Sequence, residues 1–180
     1  MNWRIMQIRG ATFEDSAGIA KVQVDGYRAA YAGIYPPEYL DAFSYEEQEN
    51  DWRAWMNKYP DDVLYVAESD KGGIISYALA RSGETEIAGY DGELIALHVR
   101  AKDQRMGIGR LMLWMVAKGL RRAKCESMML WTLEANPSNG FYGHLGAKRL
   151  DERKESDGQP SEIAYGWPEI ERIWKPGDAQ

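Results

Sequence analysis

Residues 93–117 read ELIALHVRAKDQRMGIGRLMLWMVA, and this stretch decides the fold. Its opening alternates on two apolar faces, Ile95, Leu97 and Val99 on one and Leu94 and Ala96 on the other. A strand from Glu93 to Arg100, central and covered on both sides, is therefore predicted. From Gly107 to about Lys124 the pattern is helical and nearly apolar all round in its first half, Leu111 to Val116, so the helix should pack deeply on the sheet. Between them, Gly107 and Gly109 let the backbone approach a bulky anion, and the helix start adds unpaired N–H groups and the positive end of a dipole. That geometry suits a pyrophosphate; a purely structural turn is the alternative. A triphosphate loop would need Gly-Lys-Ser/Thr, but Arg110-Leu111 follow Gly109. A dinucleotide-binding oxidoreductase would need a third glycine where Met112 stands, although Glu134 imitates its ribose-binding carboxylate.

Outward from this unit, a first strand is expected over Arg4–Arg9, then a helix from the Thr12/Asp15 capping pair to about Tyr31. Pro36–Pro37 breaks it and begins a short helical piece through Phe43, and Ser44 with Glu47 caps a third helix that stops before Pro60. Val63–Glu68 and Ile74–Ala80 read as a hairpin turned at Asp70–Gly73. After the central helix come a buried strand Ser127–Leu133, a turn at Asn136–Asn139 and a short helix Gly140–Leu145 ended by Gly146. Strands near Ala147–Arg153 and Glu162–Trp167 close the chain, joined through residues 157–160, with a frayed tail beyond Trp174. This order implies one α/β domain, residues 1–175, with 176–180 as the tail.

The 180 residues carry 22 Lys+Arg against 28 Asp+Glu, a net charge of −6, which argues against a nucleic-acid partner. The basic cluster Arg121, Arg122 and Lys124 falls in the last turn of a predicted helix, where cations complement the dipole. The longest apolar run, Leu111–Ala117, is far short of a membrane span, and Met-Asn-Trp-Arg-Ile has no leader-like apolar core. The expectation is a cytoplasmic protein without membrane association, monomeric or homodimeric. The single Cys125 has no intrachain partner and reads as an inert residue.

Gln104-x-x-Gly107-x-Gly109 after one strand, Asn136 after the next, and Phe141-Tyr142 before Gly146 resemble the acetyl-CoA-binding core of the GNAT N-acetyltransferases. The resemblance runs from first strand to last. The segments around Tyr31–Pro37 and Glu162–Trp167 are similar to one bacterial subgroup. It implies a single-domain GNAT fold: a mixed sheet of about seven strands, splayed between the fourth and fifth and flanked by helices.

The resemblance also implies roles. Backbone N–H groups from Arg105 through Met106, Gly107, Ile108 and Gly109 to Arg110 would cradle the CoA pyrophosphate, with the two arginine side chains adding contacts. Gln104 opens this motif. Backbone groups of Leu97, His98 and Val99 would pair with pantetheine, Asn136 would contact the pantetheine or the reactive region, and Phe141 would pack on the cofactor. Tyr142 is the candidate acid for the leaving thiolate, and Glu93 the candidate base for the amine. Asn136 stands six positions before Tyr142, where many members have seven, and Pro137 follows it. His98 either relays a proton or is a hydrogen-bonded interior histidine, the second being preferred, and His144 is expected to face solvent. Tyr27 and Tyr31 share one helical face with Tyr35 just past its end, either as core or as the acceptor wall. Glu134, Glu93 and Asp91 are expected to supply negative charge near the splay. The reading is acetyl transfer from acetyl-CoA to a primary amine of a small molecule (polyamine, amino acid or amine-bearing toxin) with no metal; a non-catalytic acyl-CoA-binding module is the alternative.

Overall fold

The long central helix rests on the sheet through a glycine. In the computed structural model, which describes residues 6–156 and 160–173, α4 (Ile108–Arg122) presents Gly119 to the strand β2 (Val63–Ser69). A Cβ there would stand 2.4 Å from Val63 Cγ1 and 3.2 Å from Tyr65 Cε2, so only a bare backbone lets the helix settle this closely. The buried face of α4, Met112, Leu113, Val116, Ala117 and Leu120, forms one core with Ala78 and Ala80 of β3 (Ile74–Ser82), Leu94 of β4 (Gly92–Val99) and Met128 and Leu130 of β5 (Met128–Leu133).

The opposite face is covered by α1 (Ser16–Ala30) and α3 (Tyr45–Lys58), whose Ile19, Ala20, Val22 and Trp52 pack on Val66, Tyr77 and Leu79. A 3-10 turn, Phe13–Asp15, precedes α1, and the Asp15 carboxylate accepts from the Thr12 N–H at 2.8 Å, as the capping pair predicted. Ser44 caps α3 by accepting from Glu47 N at 3.1 Å. The short α2 (Pro37–Asp41) lies between them and ends before Phe43.

Seven strands are ordered β1-β2-β3-β4-β5-β7-β6, with β1 at Met6–Gly10, β6 at Lys148–Arg153 and β7 at Glu162–Trp167. The Arg4–Ile5 start of the first expected strand, residues 157–159 and the chain beyond 173 lie outside the described residues. The closing strands do form an antiparallel pair, and it is β7 that docks on β5, leaving β6 at the edge. The short helix α5 (Asn139–His144) follows β5, and all connections except β4 to β5 are antiparallel.

The face assignment of β4 needs correction. Leu94 pairs with Ala80 and Ala96 with Leu79, so Ile95 is an extra residue, a β-bulge. The bulge flips the alternation: Leu94 joins Leu97 and Val99 on the α4 side, and Ile95 joins Ala96 on the α1 side. Lys124 also lies past the end of α4, at φ +74, while Arg121 pairs with Glu171 at 3.4 Å. Cys125 is buried, and its Sγ donates to the Asp91 carbonyl at 3.0 Å. Among the described residues no helix is long and apolar enough to cross a membrane.

Replacing Gly119 by Ala sets two effects against each other. Helix propensity gains about 1 kcal/mol, whereas overpacking a filled site costs about 1–3 kcal/mol. The clash is with a stiff β-branched side chain, so the cost prevails, and Gly119→Ala should lower the urea midpoint with an unchanged m-value.

Candidate active site

β4 and β5 run parallel but share a single registered pair, Glu93 with Met129. Beyond it the strands part, while β4 keeps its full ladder with β3. The β5-facing edge of residues 94–99 thus opens a wedge-shaped gap in the middle of the sheet, and backbone groups along such an edge can pair with an extended ligand.

The loop at the wide end of the gap is held in an uncommon conformation. Arg105 has φ +61 and Gly107 φ +83, both left-handed, the second being the N-cap of α4. Intrahelical bonding starts with Leu111 N donating to Gly107 O at 3.1 Å, so the amides of the first turn precede it. Gln104 braces the loop by donating from Nε2 to the Val99 carbonyl at 3.0 Å, and Arg100 pairs with Asp103. At Gly109 a Cβ would lie 3.4 Å from Phe141 Cζ and 3.7 Å from Val99 Cγ2. Helix start, gap strand and α5 therefore meet around a backbone without side chain, a cradle that fits a pyrophosphate followed by an extended arm. Arg105 and Met106 are exposed beside it, and Ile108 is buried beneath.

The turn from β5 to α5 is a hydrogen-bonded knot. Asn136 donates to Thr132 Oγ1 at 3.0 Å and accepts from Ser138 N at 2.9 Å, and Asn139 donates to the carbonyls of Leu133 (2.9 Å) and Glu134 (3.0 Å). Both ends of the Asn136 amide serve the turn, which aims Phe141 and Tyr142. Tyr142 is 7% exposed, with its ring between Phe141 (5.3 Å), Tyr165 (6.1 Å) and Trp167 (6.3 Å). Burial pushes its hydroxyl up to about 12. His144 is exposed.

On the α1 side of the gap stands an aromatic wall. Tyr27 packs edge-on against Tyr31 (4.9 Å) and stacks on Phe43 (5.0 Å), and Tyr31 meets Tyr35 at 5.9 Å. Tyr31 is raised by burial first, then by the neighbouring hydroxyls of Tyr27 and Tyr142. Glu93 lies on this same face, in register with Arg81, and half-burial raises its carboxyl despite the guanidinium. Arg81 is itself taken up by Asp62, at 2.9 and 2.8 Å. Glu93 and Tyr142 thus approach the gap from opposite faces of the sheet.

Asp91 does not face the splay. Its carboxylate accepts from Glu126 N, Ser127 N and Ser127 Oγ, tying the start of β4 to the start of β5 at the closed end. Glu134 is exposed at the open end, 4.0 Å from Arg149. Among the described residues no group of three His, Cys, Asp or Glu could hold a metal.

Residues 24–147 match the family model of the acetyltransferase (GNAT) family. The chain belongs to the GNAT acetyltransferases. It is 33% identical over 171 residues to an uncharacterized N-acetyltransferase, YuaI, of Bacillus subtilis (strain 168), covering 94% of this chain and 96% of that one. Among solved structures it is similar to the PaiA N-acetyltransferase of Thermoplasma acidophilum in complex with coenzyme A (TM-score 0.69, 22% identity, 90% and 99% of the two chains). It is also similar to YncA of Salmonella typhimurium with its cofactor acetyl-CoA (TM-score 0.66, 17% identity, 97% and 99%).

In this GNAT enzyme the sequence reading missed two groups on the α1 side of the gap. Glu162, opposite Leu133, adds to burial and the neighbouring tyrosine hydroxyls in raising Tyr31 and Tyr35, and it accepts from Arg153 at 3.4 Å. Trp131, under the Arg153 guanidinium at 3.8 Å, has a buried indole N–H without a hydrogen-bond partner among the described residues. Trp131 carries no local motif, and Glu162 entered the sequence reading only as the start of a closing strand; the pairing of β5 with β7 brings them together.

His98 lies inside the GNAT core, but among the described residues it lacks the side-chain hydrogen bond expected of an interior histidine. It stacks between Tyr77 (5.3 Å) and Tyr27 (5.4 Å), and desolvation lowers its imidazole to about 4 from an ordinary value of about 6.5. The unfolded chain binds this proton more readily, so stability falls as pH drops through that window. The ring is not wholly enclosed, so about 2 kcal/mol is expected rather than the full shift. Urea unfolding at pH 7 and 4.5 should show that loss in the wild type beyond the loss in His98→Phe.

Proposed function

We propose that this acetyltransferase uses acetyl-CoA and delivers the acetyl group to a primary amine of a small molecule, by direct attack within the gap. The observation that carries the reading is the single-pair splay of β4 and β5 leading into a left-handed glycine loop at a helix start. Coenzyme A in the PaiA structure and acetyl-CoA in the YncA structure, both on this fold, support the choice of cosubstrate.

Acetyl-CoA supplies the activated acetyl group; the chain's residues bind, orient and move protons. The backbone of residues 105–110 holds the pyrophosphate, Arg105 and Arg110 add charge, and the free edge of Leu97–Val99 takes the pantetheine arm. Phe141 closes over the arm from α5. Asn136 contributes by shaping the turn beneath it.

Tyr142 stays protonated throughout the neutral range and so can donate towards the leaving sulfur. A hydroxyl near 12 facing a thiol of about 8.5 makes complete transfer uphill by about 5 kcal/mol. Its role is therefore a hydrogen bond that strengthens as charge builds on sulfur. Glu93, with its raised carboxyl, accepts the proton an alkylammonium must lose before attack. Negative charge on the acceptor side, from Glu93 and from Glu86 and Glu162 sharing one Arg153, favours a cationic amine. Protonation of Glu93 at low pH removes the acceptor of that proton, so turnover falls on the acid side.

An amine panel followed by release of CoA thiol tests the reading. Binding of CoA with no thiol released for any amine would establish a non-catalytic acyl-CoA-binding module instead. Tyr142→Phe should lower kcat roughly tenfold or more, with acetyl-CoA affinity within about twofold of wild type. Glu93→Gln should flatten the acid limb of the kcat/KM profile; an unchanged limb would remove Glu93 from the role.

A further inference from the structure

The aromatic rings do not stop at the acceptor-side wall. Trp52 of α3 meets Tyr77 of β3 edge-on at 5.1 Å, Tyr77 stacks on His98 of β4 at an interplanar angle of 18°, and His98 stacks on Tyr27 of α1 at 28°. Tyr27 passes the contact on to Phe43 and Tyr31. The far end is tied back to α1, since Trp52 Nε1 donates to Gln23 Oε1 at 2.7 Å.

Three observations show that the imidazole is held as a flat ring. Among the described residues neither of its nitrogens makes a hydrogen bond to a side chain or to the backbone. Its backbone is fixed, because Ser76 Oγ donates to the His98 carbonyl at 2.6 Å. And α1 is shaped to receive it: a Cβ at Gly26 would stand 2.9 Å from His98 Nδ1. Gly26 has ordinary helical backbone, so closeness to this ring is what requires glycine there.

We propose that His98 is a positioning residue, a spacer between the sheet and α1 that sets where the Tyr27–Tyr31 wall stands relative to the strand bordering the gap. The proposal rests on the acetyl-transfer reading of that gap. The backbone of His98 lies along the cosubstrate edge of β4 while its ring supports the opposite wall, so one residue sets the distance between the two substrates. An offset stack of this kind is governed by shape and ring area, and a phenyl ring can replace it.

The test compares His98→Ala, His98→Phe and Gly26→Ala in the full chain, by steady-state kinetics with an amine the wild type accepts and by crystal structures. His98→Ala should raise the amine KM about tenfold and leave the acetyl-CoA KM within about twofold. His98→Phe should return the amine KM to within about threefold of wild type. Gly26→Ala keeps the imidazole but pushes it, and should shift the amine KM in the same direction as His98→Ala, which covers the case in which the latter does not fold. His98→Phe as impaired as His98→Ala would overturn the proposal in favour of nitrogen chemistry. So would an equal rise in both Michaelis constants. Should the wild type acetylate no amine, the acetyl-transfer reading falls, and the crystal structures still decide the positioning role: Tyr27 displaced in Gly26→Ala and in place in His98→Phe sustains it, and an unmoved Tyr27 in Gly26→Ala sinks it.

Discussion

The parting of β4 from β5 after the pair Glu93–Met129 is the constraint on which the rest of this molecule depends. Parallel strands in the middle of a sheet normally satisfy one another's backbone groups, and leaving such an edge open has a cost unless water or a ligand meets it. The chain secures both ends of the defect. At the closed end Asp91 accepts from the amides of Glu126 and Ser127, locking the two strand starts together. At the open end the Thr132–Asn136–Asn139 network and the braced loop after Val99 hold α5 and the start of α4 apart at a set distance, with Phe141 against Gly109 between them.

The bulge at Ile95 belongs to the same device. By adding one residue to β4 it places Leu97 and Val99 under α4 and turns His98 towards α1. Without it, the histidine would face the α4 core and the aromatic ladder from Trp52 to Tyr31 would be broken. The proposed roles of Tyr142 and Glu93 on opposite faces depend on this gap, where the sheet no longer separates its two sides.

The net charge of −6 first reads as a reason to exclude nucleic acid, yet an acidic chain with this fold has to hold an anionic cosubstrate. Locality resolves the conflict. In the proposed arrangement uncharged amides at the start of α4, with Arg105 and Arg110, would meet the anion, while Glu93, Glu86 and Glu162 lie on the other face. Half-burial strengthens the field of Glu93, and surface charge elsewhere is screened.

Local pattern in the sequence determined the elements, their order and the glycine loop, because strand alternation, helix caps and the φ demands of Gly107 and Gly146 act between neighbours along the chain. It also held Tyr142, Phe141 and the motif from Gln104 to Arg110. Tertiary structure alone decided the pairing of β7 with β5, which brings Glu162 and Trp131 to the gap, and the flip of faces at Ile95. It alone showed that Asp91 and the Asn136 amide are engaged in holding the frame, and that His98 is a ring stacked between Tyr77 and Tyr27. Each of these depends on partners dozens of residues away or on the partners a side chain finds once packed, and no short-range periodicity encodes them.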